Sequence, residues 1–78
     1  MTDVAATVRE IVAKHASSSV GDDATPLGGD GVGLDSIALA EVLLECEERF
    51  GAEVADLLDG GAVTVQRIVE RIGAAARP

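Results

Sequence analysis

Apolar residues recur at helical spacing in three segments of this chain, whereas no segment shows the alternation of a strand over a useful length. The three segments are 3–16, 36–50 and 65–75, and residues 53–59 leave room for a short helix of one or two turns. We therefore predict an all-α fold in a single domain over residues 1–78. Its architecture is expected to be a four-helix bundle with a long first loop and a short third helix.

Each predicted helix has one apolar face and identifiable ends. The second helix is the clearest, because Asp35 or Ser36 can cap its start and Gly51 can stop it. The caps predicted for the other two helices are Thr2 or Asp3 and Thr64. The residues predicted to face the core are Val4, Val8, Ile11, Val12 and His15 in the first helix, Leu39, Val42, Leu43, Cys46 and Phe50 in the second, and Val65, Ile68, Val69 and Ile72 in the last.

Residues 17–34 are predicted to form a long loop, since they contain Pro26 and five of the nine glycines. Loops of this length in a small domain are often functional. The apolar residues expected to hold it on the core are Val20, Leu27, Val32 and Leu34. Its acids, which are Asp22, Asp23 and Asp30, lack the register of a calcium loop and are interpreted as turn formers. Residues 28–33 are glycine-rich but lack the Lys-Ser/Thr of a nucleotide loop.

The net charge of −8 indicates the kind of partner the chain can have. An acidic surface repels nucleic acid and anionic membranes, and Phe50 is the only aromatic side chain for stacking on bases. Basic protein surfaces are therefore the expected partners, although the charge has the alternative role of keeping a small protein soluble. No secretory signal or apolar bilayer-spanning stretch is present, so we expect a cytoplasmic protein. We also expect it to be a monomer.

Enzymatic chemistry is not favoured in this chain. A domain of 78 residues has no room for a deep pocket with its own catalytic machinery. His15 and Cys46 are single copies, and Cys46 lies on the predicted core stripe, so a Cys/His pair is not expected. A zinc site needs more Cys or His than the chain has.

The second predicted helix has another patterned face beside its core stripe. This face consists of Ile37, Glu41, Leu44 and Glu48, again at i, i+4, i+7 and i+11. Glu45 lies on its flank, and Glu47 lies nearer the core edge. Such a face suits docking onto a basic rim around an apolar depression, with the acids steering and the aliphatics burying area. The alternative is an ordinary solvated face whose aliphatic residues are partly covered by the loop or the short helix.

The stretch from Gly33 to Gly51 resembles the signature of acyl carrier proteins. In that family Gly-x-Asp-Ser-Leu opens the second helix of a four-helix bundle, and an acidic helix runs to Glu-Glu-x-Phe-Gly. This chain has Gly33-Leu34-Asp35-Ser36-Ile37 at the start and Glu47-Glu48-Arg49-Phe50-Gly51 at the end. The order of the other elements agrees, including the start of the last helix at Thr64-Val65-Gln66.

The resemblance implies a carrier function that is not itself enzymatic. Ser36 would receive 4′-phosphopantetheine from coenzyme A through a phosphopantetheinyl transferase, giving a phosphoprotein whose arm holds acyl or aminoacyl groups as thioesters. Asp35 would assist by helping to bind the metal of the transferase. The face of Ile37, Glu41, Leu44 and Glu48 would dock partners such as an acyl-loading enzyme, a ketosynthase or an acyltransferase. The alternatives are that Asp35-Ser36 is only a helix cap and that the chain is an unmodified acidic helical adaptor.

Departures from the family pattern favour a specialised pathway. Fatty-acid carriers usually have an acid where this chain has Ala38, and a Leu where it has Ile37. The third-helix region, 54–61, is more apolar and ends in Gly60-Gly61. The Phe-x-Leu-Gly-Gly-His-Ser signature of peptidyl carriers is absent. We therefore expect polyketide or related specialised-metabolite biosynthesis, such as antibiotic biosynthesis, with fatty-acid synthesis as the alternative.

Overall fold

A computed structural model describes residues 3–16, 22–29 and 31–75. It contains α1 (Val4–Ala16), α2 (Ser36–Phe50), a 3-10 helix (Ala55–Asp59) and α3 (Val65–Ala75). The prediction of an all-helical chain is confirmed, since the only strand-like feature of the described residues is an isolated bridge between Gly28 and Leu34. The short helix expected within 53–59 is a five-residue 3-10 helix, so the described residues contain three α-helices.

The three α-helices share one apolar core. α1 packs against both α2 and α3, and α2 also contacts the 3-10 helix. The predicted core faces are confirmed at their centres, where the buried residues are Val8, Ile11, Val12, Val42, Leu43, Cys46, Val65, Ile68 and Ile72. At the edges the predicted residues are half-buried, namely Val4, His15, Leu39, Phe50 and Val69. Because each large apolar side chain contributes about 1.5–3 kcal/mol when fully buried, these stripes dominate the stability of the fold.

The helix caps settle the alternatives that the sequence leaves open. The N-cap of α2 is Asp35, whose Oδ1 accepts from the backbone N–H of Ala38 at 2.8 Å. Gly51 ends this helix in the left-handed region, with φ 70°. Asp3 and Thr64 accept in the same way at the starts of α1 and α3. Thr2 lies outside the described residues.

The described part of the first loop is fastened to the helices. Leu27 is buried, and its N–H donates to the carbonyl of Val63 at 2.8 Å. Arg9 of α1 forms two bonds of 2.7 Å with the carboxylate of Asp23, and its guanidinium holds the pKa of that carboxyl below the usual range. Leu34 is buried and Val32 half-buried, as predicted. Val20, Asp30 and the serines at 17–19 lie outside the described residues.

None of the helices in the described ranges is both long and apolar enough to cross a bilayer.

Candidate functional site

Ser36 is exposed at the first residue of α2. The chain enters this helix through Gly33, whose φ of 92° allows a sharp turn. The next residue, Leu34, is buried and donates its N–H to the carbonyl of Leu27 at 2.9 Å. Asp35 then caps the helix, so Ser36 is held between a fastened loop and a rigid helix while its side chain faces solvent.

The start of α2 is suited to a covalently attached phosphate group. The first backbone N–H groups of a helix have no intrahelical acceptor, and the helix dipole favours a negative charge there. The exposed hydroxyl of Ser36 is an oxygen that can be esterified, and its position leaves the resulting phosphodiester in contact with water. Asp35 uses Oδ1 for the cap, and no bond from a described residue reaches its Oδ2. The chemistry of these groups therefore fits a phosphate-linked arm.

The second face of α2 is solvated along its length. Ile37 and Leu44 are 72% and 52% exposed, and Glu41 and Glu48 are also exposed. Both aliphatic side chains thus keep more than half of their surface exposed, although exposure alone does not distinguish a docking face from an ordinary solvated face. An open groove of about 570 Å³ runs beside this face, lined by His15, Glu41, Leu44, Glu45, Glu48 and Arg49. The structure thus places two bulky aliphatics and two carboxylates together on the helix that begins with Ser36.

Glu45, on the flank of that face, has partners on α1. Its carboxylate accepts from Lys14 Nζ and lies 3.3 Å from Nε2 of His15. The bond to Lys14 lowers the pKa of Glu45, and His15 acts in the same direction. Glu45 therefore links α1 to α2, and among the described residues no ion pair involves Glu41 or Glu48.

Glu47 makes contacts that the sequence reasoning missed. Its Oε2 accepts from the backbone N–H groups of Val54 and Ala55, each at 3.0 Å. No sequence motif predicts this arrangement, because the carboxylate lies on α2 and its two donors lie at the start of the 3-10 helix.

A small cleft lies near the start of α2, on the side of the 3-10 helix. Its volume is about 210 Å³, and it is lined by Pro26, Gly28, Leu39, Leu58, Gly61, Ala62 and Val63. Leu39 is three residues beyond Ser36, so the two side chains lie on neighbouring positions of one helix.

Cys46 is fully buried in the core, as its place on the stripe predicts. Burial raises the pKa of its thiol to about 11, and the charge of Glu45 acts in the same direction. The thiol is therefore protonated at neutral pH and shielded from reagents.

We expect Cys46 to resist iodoacetamide at neutral pH in the folded protein and to react once the protein is denatured. Intact mass spectrometry measures this as no adduct before denaturation and one adduct afterwards. Cys46→Ser is the control and should gain no adduct under either condition. Alkylation of the folded protein as fast as that of a free cysteine would contradict the burial described here.

The fold and the site together define a small helical protein that presents a serine at an exposed helix start, followed by an exposed helix face with two aliphatic residues and two carboxylates. The sequence model of the phosphopantetheine attachment site matches residues 4–72. The chain belongs to this family. Comparison with curated proteins and with solved structures gives no match.

Membership of the family establishes the cofactor and the general role. The cofactor is 4′-phosphopantetheine, attached covalently, and the chain is a phosphopantetheine carrier. Carrier domains of this family interact with a phosphopantetheinyl transferase and with biosynthetic enzymes.

Proposed function

We propose that Ser36 is the residue that carries the arm. It is the one serine among the described residues, it is exposed, and it opens the helix that the family match includes. The competing hydroxyl of Thr64 is buried and accepts the N–H of Arg67 as a cap. Proteolysis of the modified protein followed by tandem mass spectrometry tests this assignment. An arm found on another residue would contradict it.

Asp35 has two roles in this proposal. Its Oδ1 holds the helix start in place, and its Oδ2 remains for the metal ion of the transferase. In the transfer, Ser36 Oγ forms a bond to the phosphorus of coenzyme A that bears the pantetheine, and the pyrophosphate bond breaks. Nucleoside bisphosphate leaves, and the hydroxyl proton passes to a base of the transferase. When bound, the arm supplies a thiol that holds cargo as a thioester.

The proposed carrier is a monomeric cytoplasmic protein that is not itself catalytic. Its fold is a four-helix bundle in which the short 3-10 helix takes the place of the third helix. The single core shared by α1, α2 and α3 supports one domain over the chain. Because Cys46 is buried and protonated, it does not compete with the arm for acyl groups.

A specialised pathway, of polyketide or related type, is the proposed setting. Two departures from the fatty-acid pattern support this setting. Ala38 lies where fatty-acid carriers usually have an acid, and the 3-10 helix is more apolar than the usual third helix because it contains Leu57 and Leu58. The intact mass of protein recovered from its native host, with the cargo still attached, tests this. A straight-chain saturated acyl series would instead support fatty-acid synthesis, and protein without any arm would support an unmodified adaptor.

Partner enzymes are proposed to dock on the face of Ile37, Glu41, Leu44 and Glu48. The exposure of both aliphatics supports this, because apolar side chains that remain solvated on a carboxylate-lined helix can bury area against a basic partner.

Reversal of one docking charge should slow partner enzymes without unfolding the chain. We expect Glu41→Lys to raise the KM of the transferase for the carrier about tenfold at low salt, because electrostatic steering governs encounter. The effect should shrink as salt screens the charges. Glu70→Lys makes the same charge change on the exposed side of α3 and should have little effect. Equal KM values for Glu41→Lys and the native protein would place the docking face elsewhere.

A further inference from the structure

The 3-10 helix between α2 and α3 has no N-cap side chain of its own. Val54 occupies the N-cap position of the 3-10 helix, and a valine side chain cannot accept a hydrogen bond. The acceptor comes instead from α2, where Oε2 of half-buried Glu47 receives the N–H groups of Val54 and Ala55 at 3.0 Å each. One carboxylate oxygen thus fastens the start of the 3-10 helix to the last turn of α2.

The opposite side of the same segment is held by α3. Arg71 donates through Nη1 to Oδ1 of Asp56 at 2.6 Å and to the carbonyl of Glu53 at 3.5 Å. These contacts are exposed, and exposed ion pairs contribute little to stability. The two hydrogen bonds that backbone N–H groups donate to the half-buried Glu47 side chain are less exposed to water, and they are the stronger restraint. Glu47 therefore makes the main polar contacts that position the 3-10 helix on α2.

The position of the 3-10 helix determines part of the surface near Ser36. Leu57 points into the core, while Leu58 is 38% exposed and lines the cleft that Leu39 also lines. Leu39 lies one turn from Ser36 on α2. A shift of the 3-10 helix therefore moves one wall of this cleft relative to the residue that is modified.

We propose that Glu47 is a positioning residue for the carrier function: by fastening the 3-10 helix to α2, it sets the surface beside Ser36 that the transferase contacts. This inference rests on the proposed role of Ser36. Glu47 acts here through its hydrogen bonds and not through its charge, which distinguishes it from Glu41 and Glu48 on the docking face.

Three substitutions separate hydrogen bonding from charge at this position. Glu47→Gln removes the charge but keeps an acceptor oxygen at the same reach, whereas Glu47→Asp keeps the charge and shortens the side chain by one methylene group. Glu47→Ala removes both. Glu70→Ala is the matched control, because Glu70 is an exposed acid of α3 whose side chain bonds to no residue within 3–16, 22–29 or 31–75.

The transferase KM for each carrier variant is the functional readout, measured with coenzyme A as the donor well below the unfolding temperature. Because a lost hydrogen bond costs about 1 kcal/mol, we expect KM to rise on the order of fivefold in Glu47→Asp and Glu47→Ala, with kcat unchanged. Glu47→Gln and Glu70→Ala should stay near the native value. Amide hydrogen exchange at Val54 and Ala55 should accelerate in the same two variants that raise KM.

Several results would overturn the proposal. If Glu47→Gln raises KM as much as Glu47→Ala, the charge acts and Glu47 belongs to the docking set. If exchange accelerates or the melting temperature falls while KM stays native, its role is only structural. Failure of the native protein to accept any arm would instead refute the assignment of Ser36, and the exchange data would still report whether Glu47 holds the 3-10 helix.

Discussion

Ser36→Ala is expected to abolish attachment of the arm while leaving the fold in place. Alanine has no oxygen to form the phosphodiester, and Asp35 rather than Ser36 caps α2. The Ser36 side chain is exposed, and alanine is the better helix former, so the helix loses nothing. Incubation with coenzyme A and a promiscuous transferase should give no increase in intact mass, with an unchanged circular dichroism spectrum.

The control for this result is removal of a hydroxyl elsewhere. Thr7 lies in α1, and Thr7→Ala should accept the arm as the native protein does. Phosphopantetheine on the Ser36→Ala protein would mean that another residue is the attachment point.

Gly31→Ala, which adds one methyl group to the first loop, should strongly lower the stability of the fold. A Cβ at this position would lie 1.8 Å from the carbonyl oxygen of Pro26, far inside contact distance. That carbonyl cannot easily turn away, because it accepts the N–H of Val32 at 2.9 Å. The backbone must therefore shift, and we expect the free energy of unfolding to fall by about 3 kcal/mol. In a domain of this size, whose core supplies about 3–5 kcal/mol, much of the stability would be lost.

Urea denaturation measures this change, and Gly73→Ala is its matched control. Gly73 lies in α3, and a Cβ there meets nothing within 4 Å. The control should stabilise the protein by about 0.5–1 kcal/mol, since alanine is favoured over glycine inside a helix. A Gly31→Ala protein as stable as the native one would show that the turn from Pro26 to Val32 adapts freely.

The helices could be predicted from the sequence because their causes are local. The spacing of Val42, Leu43 and Cys46 requires one buried face, and Gly51 supplies the left-handed residue that ends α2. The exposure of Ile37 and Leu44 could not be predicted in this way, since covering by the loop or the short helix depends on tertiary packing.

Other features could not be predicted because they join residues far apart in the chain. Whether Glu45 is free or held by Lys14 depends on how α1 lies along α2. The bond from Arg9 to Asp23 likewise requires the path of the loop. The short third helix is of the 3-10 type because Gly60 stops it after five residues, too few for a stable α-helix.

These long-range contacts change the interpretation of the acidic helix. The sequence pattern places Glu41 and Glu48 on one face, Glu45 on its flank and Glu47 nearer the core edge, and the structure adds the contacts that these positions make. Glu45 links two helices, and Glu47 fastens the 3-10 helix. Glu41 and Glu48 are exposed beside Leu44, and they remain the two charges of the proposed docking face.

The intact mass of the native protein after incubation with coenzyme A and a phosphopantetheinyl transferase tests the central claim most directly. We predict the addition of one phosphopantetheine per chain, located on Ser36 by tandem mass spectrometry. No addition, more than one addition, or a single addition on any other residue would contradict the assignment of Ser36 as the attachment point of this carrier.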